Sequence, residues 1–263
     1  MSLHGSIRRA CILGGFLVAL VLAAGTAYAT PSSTLWTNMT LDIQSYGVVH
    51  VGVDNDFTVA RNAAEGGGSF PTDFGLTVGV LPFEKFQMEV GVDAVEASDN
   101  PVYFNLKMGS PEGVLFKGSP ALELGLFNAG TKKDVTDQNV VDLIIGKSFQ
   151  GIGRFSVGPY LGNDRVLVDS RGKKQSRGWM AAFDRGFHPV KRADGTEFNR
   201  FVVAADYASG RNAIGGGSIG AYTYFTKDIS LLLGHVWFND EGINGKPKWT
   251  IQLDINLPSW AGK

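Results

Sequence analysis

Along most of the chain, apolar and polar residues alternate one for one. The clearest stretch is the last. Trp249, Ile251, Leu253, Ile255 and Leu257 fall on one side of an extended segment, and Thr250, Gln252, Asp254 and Asn256 fall on the other, because successive strand side chains point to opposite faces. The pattern recurs from residue 46 onward. Val49, Val51 and Val53 oppose His50, Gly52 and Asp54. Phe74, Leu76, Val78 and Val80 form one arm of a hairpin and Phe86, Met88, Val90 and Val92 the other, joined by Pro82-Phe83-Glu84-Lys85. Further strands are predicted around residues 102–108, 122–126, 141–145, 155–161, 179–183, 201–207, 217–225, 229–238 and 249–257. The total is about twelve, with ten to fourteen compatible with the pattern.

Alternation alone does not say which face is buried. A soluble secreted barrel or sandwich turns its apolar face inward, whereas a membrane barrel turns it outward. Several features favour the membrane. The strand count of about twelve is even, as single-chain membrane barrels require, and most strands have the ~9–11 residues a tilted crossing needs. The polar face of the third strand, Gln87, Glu89, Gly91 and Asp93, carries two acids that a packed interior would not accept and must meet water or partners. The connections at 82–85, 148–151 and 226–228 are short and fall on one side, while those at 58–73, 162–178 and 239–248 are long and fall on the other. The connections at 109–119, 187–198 and 97–101 fit this rule less well. Phe83, Phe86, Phe149, Tyr224 and Phe225 cluster near the short turns, and Trp179, Tyr207, Trp237 and Trp249 near the long loops, as two interfacial girdles would. In lipid every backbone N–H and C=O must be paired within the protein, so a chain of strands must close on itself. The predicted fold is all-β, a transmembrane antiparallel up-and-down β-barrel over residues 41–258.

The ends add a compartment. Arg8 and Arg9, an apolar run from Ile12 to Ala24 and the small-x-small site Ala27-Tyr28-Ala29 have the layout of a signal peptide, with cleavage expected after Ala29. The apolar run is short of the ~20 residues a spanning helix needs. Residues 30–40 read as a polar periplasmic lead-in, with Trp36 as an interfacial anchor, and residues 259–263 as a C-terminal tail. Cys11, the one cysteine, leaves with the signal. Losing Arg8 and Arg9 leaves 22 Lys and Arg against 25 Asp and Glu, a net charge of −3. Such a balance offers no nucleic-acid surface. The mean hydropathy of +0.01 conceals any membrane signal, because outward apolar and inward polar residues cancel.

The opening Tyr46-Gly47-Val48-Val49-His50-Val51-Gly52-Val53-Asp54, the signal, and the ending Val236-Trp237-Phe238-Asn239-Asp240 through Trp249 to Ile255 resemble small porin-like outer-membrane proteins of Gram-negative bacteria. The resemblance rests on barrel pattern more than on any one motif. It implies residence in the cell outer membrane and insertion by the outer-membrane assembly machinery, which reads a C-terminal aromatic-apolar strand. Here the strand ends near Leu257 and Pro258 to Lys263 trail beyond it, a departure from the common form with an aromatic last residue.

A barrel of about twelve strands can hold a narrow water-filled lumen or a closed one. The inward, candidate pore-lining set is Glu89, Asp93, Lys107, Glu123, Asp142, Arg154, Asp184, Arg200, Asp206 and Asp254. Acids outnumber bases seven to three, so a conducting lumen would weakly prefer cations or small polar solutes over anions. Alternatively these groups pair across the interior as a salt-bridged plug, giving a closed structural or adhesion barrel, or a sheath for a partner protein. An outer-membrane lipid hydrolase needs a Ser-His pair, and His50, His188 and His235 sit in no such motif. No cofactor is implied, and no metal or haem site is encoded by scattered His. The expectation is a non-enzyme. Arg165, Arg171, Lys173, Lys174 and Arg177 make the 162–178 loop solvated and basic, able to meet lipopolysaccharide and outer-membrane lipids.

Overall fold

The computed structural model describes Leu35, Trp36 and residues 40–260. The signal segment 1–29 and the far end of the tail lie outside the described residues. Twelve antiparallel strands follow in order: β1 Val49–Phe57, β2 Thr72–Gly79, β3 Gln87–Glu96, β4 Val102–Ser110, β5 Ala121–Gly130, β6 Asp137–Phe149, β7 Gly153–Leu161, β8 Arg177–Lys191, β9 Glu197–Ala208, β10 Gly216–Tyr224, β11 Ile229–Phe238 and β12 Lys248–Leu257. Each pairs with its neighbours in sequence, and β1 closes on β12 from Val49↔Leu257 to Phe57↔Trp249. The sheet therefore has no free edge, which is what a hydrocarbon surrounding demands.

The orientation of the faces decides between the two barrel readings. Leu143 is 55 % exposed, Ile219 53 % and Leu233 53 %, whereas Thr250, Gln252 and Asp254 on β12 are almost fully buried. Apolar side chains cover the outside and polar ones line the inside, the reverse of a soluble barrel. Most strands have the ~9–11 residues that a tilted crossing needs. Among the described residues no helix is long and apolar enough to cross a membrane; the strands do that.

Of the connections that strain the short-long rule, the one at 187–198 is resolved by strand length and the other two remain exceptions. β8 and β9 run on past the barrel rim, so only residues 192–196 remain as a turn there. Residues 111–120 stay as a true connection at the short-turn end, held by Lys147 to Glu112 at 2.9 Å. At the opposite end residues 97–101 form a tight link between β3 and β4. The girdle aromatics Phe83, Phe149, Phe225, Trp179 and Trp249 face outward. Tyr224 does not: it is on the inward face of β10 and is 7 % exposed. Strand parity fixes this, because Tyr222, Ser218 and Gly216 share its side.

The 163–176 loop is not wholly solvated. Its basic side chains reach outward to Asp134 and Asp164, but Leu167 is fully buried in the barrel mouth with Val140, Ile144, Tyr160, Met180 and Ile214. Asp240, which caps the one-turn helix Glu241–Asn244, also accepts from the backbone N–H and hydroxyl of Ser170. Loop meets loop across the mouth. Neighbouring acceptors and donors explain the carboxyl's behaviour: the Ser170 backbone N–H foremost, then its hydroxyl, the Gly242 N–H and the Arg211 guanidinium hold Asp240 below the usual carboxylate range.

Candidate functional site: a lumen occupied by the chain itself

The alternation that builds the wall stops before residue 45, and the residues there fold into the barrel. Leu35, Thr40, Leu41, Ile43 and Gln44 are all buried. Their apolar side chains sit where the wall offers no side chain of its own. A Cβ at Gly220 or Gly234 would strike Leu35, one at Gly146 would strike Leu41, and one at Gly109 would press on Ile43. These glycines occupy inward positions on β11, β10, β6 and β4, so each is a socket formed by a missing side chain.

The polar groups of the segment bind the wall's charges. Asp42 accepts two hydrogen bonds from Arg154, at 2.8 Å and 2.6 Å, while Nε of Arg154 donates to Asp184 at 2.7 Å. This bidentate geometry is the strong form of a carboxylate pair. Lys107 donates to the Asp42 carbonyl at 3.3 Å and lies 3.4 Å from Glu89, which accepts from the Gln44 N–H at 2.6 Å. Further up the lumen, Gln252 donates to the Leu35 carbonyl at 2.9 Å and the Trp36 N–H to Asp206 at 3.0 Å. The Trp36 indole donates to the Ile214 carbonyl and packs edge-on against Phe238 at 4.9 Å.

Trp36 is thus an interior residue rather than an interfacial anchor, and the described part of the lead-in is a filling of the barrel rather than a segment outside it. The reason is energetic. An inward wall with apolar patches and buried charges is poor in a dry lumen and is completed by an irregular segment that brings apolar side chains and backbone donors to both. The reading from alternation alone missed Leu35, Leu41, Asp42 and Ile43. The available signal was the row of inward glycines opposite a segment that mixes Leu and Ile with Asp and Gln.

The structure places all ten candidate residues on the inward side, with different partners. Glu89, Lys107, Arg154, Asp184 and Asp206 hold or adjoin the inserted segment. Asp254 lies 3.4 Å from His50 and accepts from Ser230. Asp93 accepts from Asn105. Arg200 sits at the short-turn rim, donating to the Tyr224 and Phe225 carbonyls. Glu123 and Asp142 are 2 % exposed and lie together on β5 and β6. To these the fold adds Asp54, Asp56 and Asp73 on β1 and β2. One oxygen of Asp54, one of Asp73 and both of Glu123 have no hydrogen-bond partner among the described residues.

The histidines are dispersed: His50 bonds Asn256 and Asp254, His188 packs on Phe201, and His235 lies between Trp237 and Trp249 on the outer surface.

A closed, inside-polar barrel with an apolar outer band defines a membrane-spanning β-barrel. No family model and no curated protein matches the chain. Solved structures similar to it include an outer-membrane channel from Pseudomonas putida F1, at 11% identity over 89% of this chain and 98% of that one, with a TM-score of 0.44. The NanC porin is similar at 7% identity over 79% and 99%, TM-score 0.44, and a mutant of the Rh. blastica porin at 10% over 84% and 64%, TM-score 0.39. The fold assignment rests on the chain's own register and the direction of its faces.

Proposed function

We propose that this protein is a porin-like channel of the Gram-negative outer membrane, passing ions and small polar solutes by diffusion with a weak preference for cations. The arrangement described is its closed form, in which Leu35, Trp36 and residues 40–44 occupy the lumen. The supporting observation is the acidic wall. A purely structural barrel gains nothing from Asp54, Asp73 and Glu123 with unpartnered oxygens, since each such buried group costs about 1–3 kcal/mol or more. Water or passing cations would satisfy them. Displacing the segment uncouples Asp42 from Arg154 and vacates the centre of the barrel without disturbing any strand pairing.

Single-channel recording of the purified protein in a planar bilayer, with a salt gradient across it, tests the reading. Cation-selective steps that alternate with long closed periods are the expected result. A folded barrel that inserts and never conducts overturns the channel and leaves a closed structural or adhesion barrel.

A further inference from the structure

Beside the inserted segment the lumen keeps a cavity of about 70 Å³, lined by Thr77, Glu89, Asp93, Asn105, Glu123 and Phe127, with Gly125 in its floor. That volume admits a few water-sized groups. Glu123, 2 % exposed, faces it with both carboxylate oxygens unpartnered among the described residues. Asp142 is equally buried and stands directly across the ladder from Gly125. A Cβ at position 125 would collide with an oxygen of Asp142 and with one of Glu123. The two carboxylates therefore converge over Gly125, reaching into the place that a side chain there would take, at the edge of the cavity.

The nearest cation is already engaged. Lys107, across from Gly125 on the other side, pairs with Glu89 and donates to the Asp42 carbonyl. Two carboxylates held together in a low-dielectric interior repel each other and lack hydrogens, a state relieved by a positive group that carries its own donors. Among the described residues no group of three His, Cys, Asp or Glu could cage a metal ion, so a dehydrated metal does not meet the need.

We propose that the cavity over Gly125 binds a small cation of the ammonium type, its N–H groups donating to Glu123 and Asp142. Thr77 and Asn105 supply further polar contacts and Phe127 an apolar flank. The inference rests on the cation-channel reading, and makes this cavity a station on the path.

The test uses the purified, folded protein in detergent. Its thermal unfolding is followed while methylammonium chloride replaces sodium chloride at constant ionic strength. Binding to the folded state alone raises the midpoint with methylammonium concentration. Glu123→Gln with Asp142→Asn should abolish that rise, and Gly125→Ala should abolish it with both charges kept. A wild-type midpoint indifferent to the exchange of cations, or the same rise in both variants, overturns the proposal. The bilayer recording separates the two readings. Methylammonium-dependent stability in a barrel that never conducts sinks the channel and keeps the site; conduction without that dependence does the opposite.

Discussion

On the β6–β11 side of the lumen the inward positions include Val140, Ile144, Met180, Val202, Tyr222 and Leu232, whereas on the side running from β12 through β1 to β5 they include His50, Asp54, Asp73, Glu89, Asp93 and Glu123. The outer faces of both halves carry exposed apolar side chains, such as Leu76, Phe104 and Leu124 on one and Leu143, Ile219 and Leu233 on the other. Inside, one half is filled like a protein core, with Leu35, Leu41 and Leu167 supplied by the inserted segment and the mouth loop. The other half is short-chained and acidic, with Gly52, Gly75, Gly91 and Gly125 among the carboxylates. A single strand pattern thus builds two interiors. The packed wall provides a seat for the segment, and in the channel proposed above the acidic wall would be the route for water and cations once the seat is vacated.

The sharpest way to break this contrast is to unseat the segment. Asp42→Lys sets a positive charge against Arg154, and Gly146→Leu fills the socket of Leu41. Removing one partner of a buried pair costs about 3 kcal/mol, so the open-to-closed ratio should rise roughly a hundredfold, read as open probability in single-channel records. An unchanged open probability in the double variant would mean that the segment is no gate.

Truncation on the two walls should differ in sign. Ile144→Ala leaves a cavity in the packed half and should lower stability by about 2–5 kcal/mol in denaturant unfolding. Asp54→Asn removes an unpartnered charge and should be neutral or stabilising by about 1 kcal/mol. Equal losses at both sites would erase the distinction between the walls.

Selectivity should follow the acidic half only. Asp54→Asn with Asp73→Asn should bring the reversal potential under a salt gradient close to zero, and Asp206→Asn, on the packed side, should leave it near the wild-type value. The smallest effect concerns the mouth. Asp240 lies outside the barrel wall and its carboxyl is held below its ordinary 3.8. Its contribution to loop docking is therefore complete above that value and is lost as pH falls through the lower, folded-state value. Proteolysis of the 163–176 loop should quicken at the acid end of that window and show no change between pH 5 and pH 8. Equal cleavage rates across the whole range would remove Asp240 as the latch.

A count of about twelve strands, their order and the two sets of residues on opposite faces were legible in the alternation; the exact twelve came with the closed barrel. Period two follows from backbone geometry, and residues such as Glu89, Lys107, Asp142 and Asp206 were assignable to one face from parity alone. Parity carries no sign, however. Whether Leu143 or Asp142 meets the solvent depends on what surrounds the closed barrel, which the exposed outer band answers. Parity also places Tyr224 inward, with Tyr222 and Ser218; assigning that aromatic to a girdle by its position at a strand end, and not by its face, is what misplaced it.

The contents of the lumen belong to the tertiary structure. Leu35 meets Gly220 and Gln252, and Asp42 meets Arg154, across more than a hundred residues of chain, and no local periodicity encodes such a meeting. Local backbone sterics set the barrel; the filling is set by shape and charge complementarity between a short irregular segment and a wall that exists only after closure.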